Sequence, residues 1–300
     1  IGAFYSKLSG AGISAEDYIH AQKVWKVFEC KNMGDYHDLY LRTDVDLLTD
    51  VFEKFRELCI DTYKLDPANY YTSPGLSWDA LLKKTKVKLE LLTDYDMHLM
   101  IEKGLRGGIS MASKRHAKAN NPLVGGYDPI TKTSYILYLD ANNLYGWAMV
   151  QHLPTGGFKW SDTSLEKIMK TSPKSNKGYI LEVDIKYPEE LHDEHSDYPL
   201  APEKMEVQKE WLSDYQKNLI GKSSLKVKKL VPNLRNKEKY VVHYRNLQLY
   251  VKLGMQITKV HRVLEFDQSP WMASYINMNT ELRKTARSDF EKDFFKLMNN

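Results

Sequence analysis

The hydrophobic period of this chain changes twice, and that limits the folds open to it more than any single residue does. Up to about residue 103 the apolar residues recur every three or four positions, the spacing of one helix face. Residues 14–28 predict a helix capped by Ser14, with Glu16 and Asp17 in its first turn and Val24, Trp25 and Phe28 on its apolar stripe. A longer helix is predicted over 35–63, through Leu39, Leu47, Leu48, Val51, Phe52, Phe55 and Leu58. The segment 66–77 reads as turns, from Pro67 and the Pro74-Gly75 pair, before two shorter helices at 78–84 and 93–103. After a loop at Arg106-Gly107-Gly108, strands are predicted at 135–140, 178–187, 239–251 and 257–266, and a long helix returns from about Pro270. Helices, then a mixed sheet with insertions, then a helix predict an α+β protein of more than one domain.

Its 300 residues, 42% apolar and 27% charged, are enough for a real core. No apolar run is long enough to span a bilayer, so no membrane partner is expected. Cys30 and Cys59 form neither a CxxC pair nor a disulfide framework, which predicts a reduced, intracellular setting; the compartment stays open, with the nucleus one candidate. The chain begins at Ile1 without a basic-then-apolar leader and ends at Asn300 in a helical pattern, so it is expected to be an internal piece of a longer protein.

Net charge is only +4, but it is unevenly spread. Lys222, Lys226, Lys228, Lys229, Arg235, Lys237, Lys239 and Arg245 face the single acid Glu238, and a second basic stretch holds Lys103, Arg106, Lys114, Arg115, His116 and Lys118. Two readings stay open: tracks for phosphates, or ordinary solvated surface. Tyr240, Tyr244 and Tyr250 either stack on bases or belong to a strand.

The run Tyr135-Ile-Leu-Tyr-Leu-Asp140 puts a carboxylate at the end of an apolar strand. Magnesium takes hard oxygen ligands, so a fixed carboxylate beside an open carbonyl suits it; spacing alone leaves a turn former or helix cap equally open. Lys284, Lys292 and Lys296 fall within roughly a 120° arc of one helix. They read either as lysines in water or as ammonium donors for a triphosphate.

The wording of these segments resembles family B DNA polymerases. Asp140-Ala-Asn-Asn-Leu-Tyr145 is similar to motif A of that family, with Asn143 for the usual Ser and Gly146 for the usual Pro. The resemblance implies that Asp140 and the carbonyl of Ala141 bind catalytic Mg2+ in a two-metal site whose second carboxylate lies outside this chain, and that Tyr145 lies under the incoming sugar. Lys296-Leu-Met-Asn-Asn300 resembles the start of motif B, and protein-primed members carry two further lysines at the spacing of Lys284 and Lys292. It assigns Lys284, Lys292 and Lys296 to the triphosphate and Asn300 to the nascent base pair. Leu105-Arg106-Gly107-Gly108 resembles a YxGG element that contacts DNA, with Leu105 in place of Tyr. Tyr40-Leu-Arg-Thr-Asp44 fits the third exonuclease motif, in which Asp44 would hold a metal and Tyr40 orient water.

The resemblance therefore implies a right-hand DNA polymerase, palm and fingers parts, preceded by the C-terminal end of an RNase H-like 3'-5' exonuclease domain. The expected order is exonuclease tail at 1–65, a connecting segment with the GG loop at 66–134, and a palm segment with motif A at 135–190. An insertion at 191–269, where a terminal priming protein would dock, and a fingers helix at 270–300 complete it. Primer-template DNA and deoxynucleoside triphosphates are the implied partners, and the overall wording is closest to polymerases of viruses and mobile elements. The alternative of another class is a non-catalytic nucleic-acid-binding relic of such a polymerase.

Overall fold

The computed structural model describes residues 1–113, 116–221 and 227–300, and the chain divides into two units, Ile1–Lys83 and Lys84–Asn300. Lys114, Arg115, Lys222 and Lys226 of the two basic stretches lie outside the described residues.

The first unit is helical: α1 (Ala15–Val27), α2 (Met33–Tyr63) and all but the last two residues of α3 (Ser73–Thr85). Local chemistry sets the boundaries. Ser14 Oγ accepts from the Asp17 amide at 3.0 Å, satisfying one of the orphan donors of α1. Asn32 and Asp35 form a reciprocal capping box at the start of α2. Lys64 ends α2 in the left-handed conformation, and Arg56 grips Asp66 through two hydrogen bonds of 2.7 and 3.1 Å, fixing the turn that follows. Those bonds, with the Ala68 amide, hold the Asp66 carboxyl down at about 2. Pro74 and Gly75, predicted as a turn, instead open α3, where a missing N–H costs no helical bond. Burial is sparse. Cys59, Tyr63, Leu76, Ala80 and Leu81 are buried, whereas Leu47, Leu48, Val51 and Phe52 of the predicted α2 stripe stay exposed. Cys30 and Cys59 are both free thiols.

The second unit combines helices and sheet. In chain order it contains α4 (Tyr95–Gly104), α5 (Leu144–Met149), β1 (Leu153–Trp160), α6 (Leu165–Met169), β2 (Lys177–Lys186) and α7 (His192–His195). There follow β3 (Glu203–Glu206), α8 (Asp214–Ile220), β4 (Lys228–Val231), β5 (Lys237–His243), α9 (Tyr244–Lys252), β6 (Gln256–Ser269), α10 (Ala273–Thr285) and α11 (Asp289–Met298). An antiparallel sheet runs in the order β1-β6-β2-β5, and β3 pairs with β4 in a separate ribbon.

Alternation along β2 explains why it is buried on both sides. Tyr179, Leu181, Val183 and Ile185 share one face with Tyr240, Val242 and Val263, covered by Ile168 of α6 and by Tyr244 and Leu247 of α9. Ile180 and its neighbours Val241 and Leu264 share the other face with Met97 and Met100 of α4. On that same face Glu182 accepts from Arg262 Nε at 2.9 Å and Lys103 Nζ at 3.2 Å. Burial works against its charged form, but the two cations outweigh it, so its pKa falls below the usual carboxylate value. Lys237 is also buried, its ammonium on Glu203 and Asn233; burial pushes its pKa down and Glu203 opposes that.

Three predicted elements differ. Residues 135–140 form no ladder, and Tyr135 to Leu139 are 60–97% exposed: a strand needs a neighbour, and no described residues pair with it. Segment 239–251 is strand only to His243, which then caps α9 through a bond from the Arg245 amide to Nδ1 at 3.4 Å. The long helix after Pro270 breaks at 286–288, because Ser288 Oγ accepts from the Glu291 amide at 3.2 Å and starts a new helix. Tyr240 and Tyr244 are buried in the sheet core and bonded to the carbonyls of Pro202 and Ser172, so neither ring faces a base.

Candidate nucleotide cleft

In the second unit, a cleft of about 590 Å³ collects side chains that are far apart in sequence. Asp140, Asn142, Asn143, Leu144 and Tyr145 line one wall, and Thr280, Arg283, Lys284, Lys292, Lys296, Asn299 and Asn300 line the other. The first wall is a turn running into α5. Asn143 adopts φ 53°, a left-handed conformation that Asn tolerates better than most residues, and its carbonyl accepts from the Trp147 amide at 2.9 Å. Its side chain lies over Gly146, where a Cβ would meet the Asn143 amide atoms at 2.5 Å. Asn143 and Gly146 are therefore in direct contact: any side chain at 146 would have to displace the Asn143 amide from its present place. Asp140 and Tyr145 are exposed, the tyrosine 74%.

The second wall is the α10–α11 hairpin. Lys284 belongs to α10 and Lys292 and Lys296 to α11, so the three lysines converge across a helix break rather than along one helix. Phe294, Phe295 and Met298 bury the inner side of α11, which leaves Lys292 and Lys296 to the cleft. Lys284 rests on Glu281 at 2.7 Å and Lys292 on Asp289 at 3.0 Å; both pairs are solvated and weak. Lys296 and Arg283 make no ion pair among the described residues. Arg283 and Thr280 were missed in the sequence; the available signal was position, Thr280 lying four residues before Lys284 on the same helix.

Asp140 supplies one hard oxygen ligand of the kind magnesium takes, with the Ala141 carbonyl next in the chain. No group of three or more His, Cys, Asp or Glu side chains is placed for a metal among the described residues. The donor set fits part of a magnesium site.

The other predicted site residues lie elsewhere. Arg106 stacks on the Tyr240 ring at 3.9 Å and donates to the carbonyls of Val241 and Gly104, so it anchors the segment after α4 to β5. Gly107 and Gly108 follow it, with Gly108 at φ 76°. In the first unit, Tyr40 and Asp44 stand one turn apart on α2, both exposed.

Three solved structures of phi29 DNA polymerase are similar to this chain. The orthorhombic crystal form matches at 13% identity with a TM-score of 0.43, over 77% of this chain and 35% of that one. The complex with primer-template DNA and incoming nucleotides matches at 15% and 0.42, and the post-translocation complex with primer-template DNA at 15% and 0.40. The chain thus spans about a third of the length of these proteins. No curated protein matches it. The sequence pattern of DNA polymerase type B, organellar and viral, matches residues 15–300, nearly the whole chain. By that match the chain belongs to the organellar and viral type B DNA polymerases.

Proposed function

We propose that this chain carries the nucleotide-handling part of a template-directed DNA polymerase that works on primer-template DNA in replication. The observation that carries the reading is the cleft, which unites Asp140 and Tyr145 with Lys284, Lys292, Lys296 and Asn300. A deoxynucleoside triphosphate brings about four negative charges, and convergent ammonium groups on a hairpin answer them. In the reaction the primer 3′-oxygen bonds to the α-phosphorus, the bond from that phosphorus to the bridging oxygen breaks, and pyrophosphate leaves. Lys284, Lys292 and Lys296 hold the phosphates and the charge that develops on the leaving group. Tyr145 lies under the sugar, and Asn300 faces the nascent base pair. Asp140 with the Ala141 carbonyl would hold Mg2+, which supplies charge neutralisation at the phosphates when bound. A second carboxylate must come from beyond this chain.

In this reading the chain carries palm and fingers parts of a right hand, preceded by the end of a 3'-5' exonuclease domain. Gly107 and Gly108 approach the DNA backbone, with Arg106 holding them to the sheet. Tyr40 and Asp44 serve the exonuclease, one turn apart on α2. The exposed rings of Trp211 and Tyr215, within 191–269, suit contact with a priming protein.

Primer extension with magnesium by the full-length protein tests the reading, with wild type compared to Asp140→Asn. Extension lost in the variant with DNA binding retained is the expected result. Equal extension by both removes Asp140 from the chemistry. No extension by either, with folding and DNA binding intact, favours a non-catalytic nucleic-acid binder.

A further inference from the structure

The α10–α11 hairpin contains a buried amide network that reaches from Asn279, which lines no part of the cleft, to Asn299 and Thr280, which do. Asn279 of α10 is 0% exposed, and its Nδ2 donates to Asn299 Oδ1 at 3.0 Å. Asn299, just past α11, donates in turn to the Ile276 carbonyl and to Thr280 Oγ1, each at 3.3 Å. Tyr275 adds a bond from its hydroxyl to the Met298 carbonyl at 3.0 Å. Phe294, Phe295 and Met298 of α11 and Tyr275 and Ile276 of α10 are buried as well. Apolar contact is non-directional and tolerates a slip between helices, whereas a buried amide pair fixes one register. A slip of one turn, about 5.4 Å, would carry Lys296 and Asn300 away from Lys284.

We propose that Asn279 is a positioning residue for the triphosphate-binding cations, an inference that rests on the polymerase reading above. It touches no substrate. It acts through Asn299, which holds the last turn of α11 and so sets where Lys296 and Asn300 face the cleft.

The test compares the full chain with Asn279→Leu and with the double variant Asn279→Leu/Asn299→Leu, using a deoxynucleoside triphosphate with magnesium as the probe. Three quantities are read: Tm, amide exchange at 296–300, and triphosphate Kd. The single variant is expected to exchange faster at 296–300 and to bind about tenfold more weakly. Replacing both polar partners removes the unpaired group, so the double variant recovers Tm. Its affinity stays low and, since Asn299 also lines the cleft, the register is read from amide exchange at 296–300, which stays fast because an apolar pair does not choose it. Affinity that recovers together with Tm, or unchanged protection at 296–300 in the single variant, would overturn the proposal. A wild-type chain with no triphosphate affinity would sink the polymerase reading instead, and the exchange comparison alone would then decide whether Asn279 fixes the end of α11.

Discussion

Residues 135–139 and 177–185 are both rich in Ile, Leu and Tyr, yet Leu139 is 83% exposed and Leu181 is 0% exposed. Composition does not separate them; neighbours do. β2 lies between β6 and β5, with α4 on one face and α6 and α9 on the other, so its backbone groups are paired and its side chains covered. The run before Asp140 has no ladder partner among the described residues. Strand propensity is thus a statement about fitting a half-buried pleated surface, and it is redeemed only where another strand is present. The α2 stripe teaches the same of helices: Leu47, Leu48 and Val51 recur with helical spacing and remain exposed.

Mutations can break or sharpen this contrast. The largest effect is expected from Leu181→Ala, which leaves a cavity in the sheet core and costs about 2–5 kcal/mol. Leu139→Ala should stay within about 0.5 kcal/mol in this chain, as surface changes do. Denaturant unfolding of the two variants side by side is the check, and equal losses would erase the distinction. A smaller effect, about 1 kcal/mol, is expected from Gly146→Ala, in the otherwise loosely packed stretch that precedes β1, because the added Cβ must displace the Asn143 amide. Adding Asn143→Gly removes the obstructing amide and accepts the same left-handed backbone, so stability should return in the double variant. If it does not, the two positions are not coupled.

A pH dependence within the sheet offers a further check. Burial, then the Arg245 charge, push the His243 pKa down to about 4. The folded chain therefore resists protonation that the unfolded chain accepts near 6.5. Stability from this group is intact above about pH 6.5 and declines as pH falls towards 4, where the folded state titrates too. His243→Asn keeps a side-chain acceptor at the start of α9 and removes the titration, so Tm should vary less between pH 6.5 and 4. An unchanged pH profile would mean that His243 is not the group responsible.

What the sequence disclosed follows the same division. The cap at Ser14 is a local event, written within four residues, and α1 begins there; the Asn32–Asp35 box is as local, and it starts α2 at Met33 rather than at the predicted 35. β2 and β6 were legible because runs of Ile, Leu and Val at period two or less need a sheet. The cleft was legible only as separate patches, since nothing local says that Lys284 will meet Asp140 across 144 positions. The helix break was written in Ser288 and Glu291, but the lysine spacing outweighed it and drew one continuous helix. The fate of Tyr240 depended on which side of β5 would be covered, and that of Tyr244 on α9 packing over the sheet, both tertiary facts.

The coupling of Asn143 to Gly146 also bears on how this turn diverged from the Ser-Leu-Tyr-Pro wording of the family it resembles. A proline at 146 would set its Cβ against the Asn143 amide where that amide now stands. The glycine at this position therefore leaves the space that the Asn143 amide occupies.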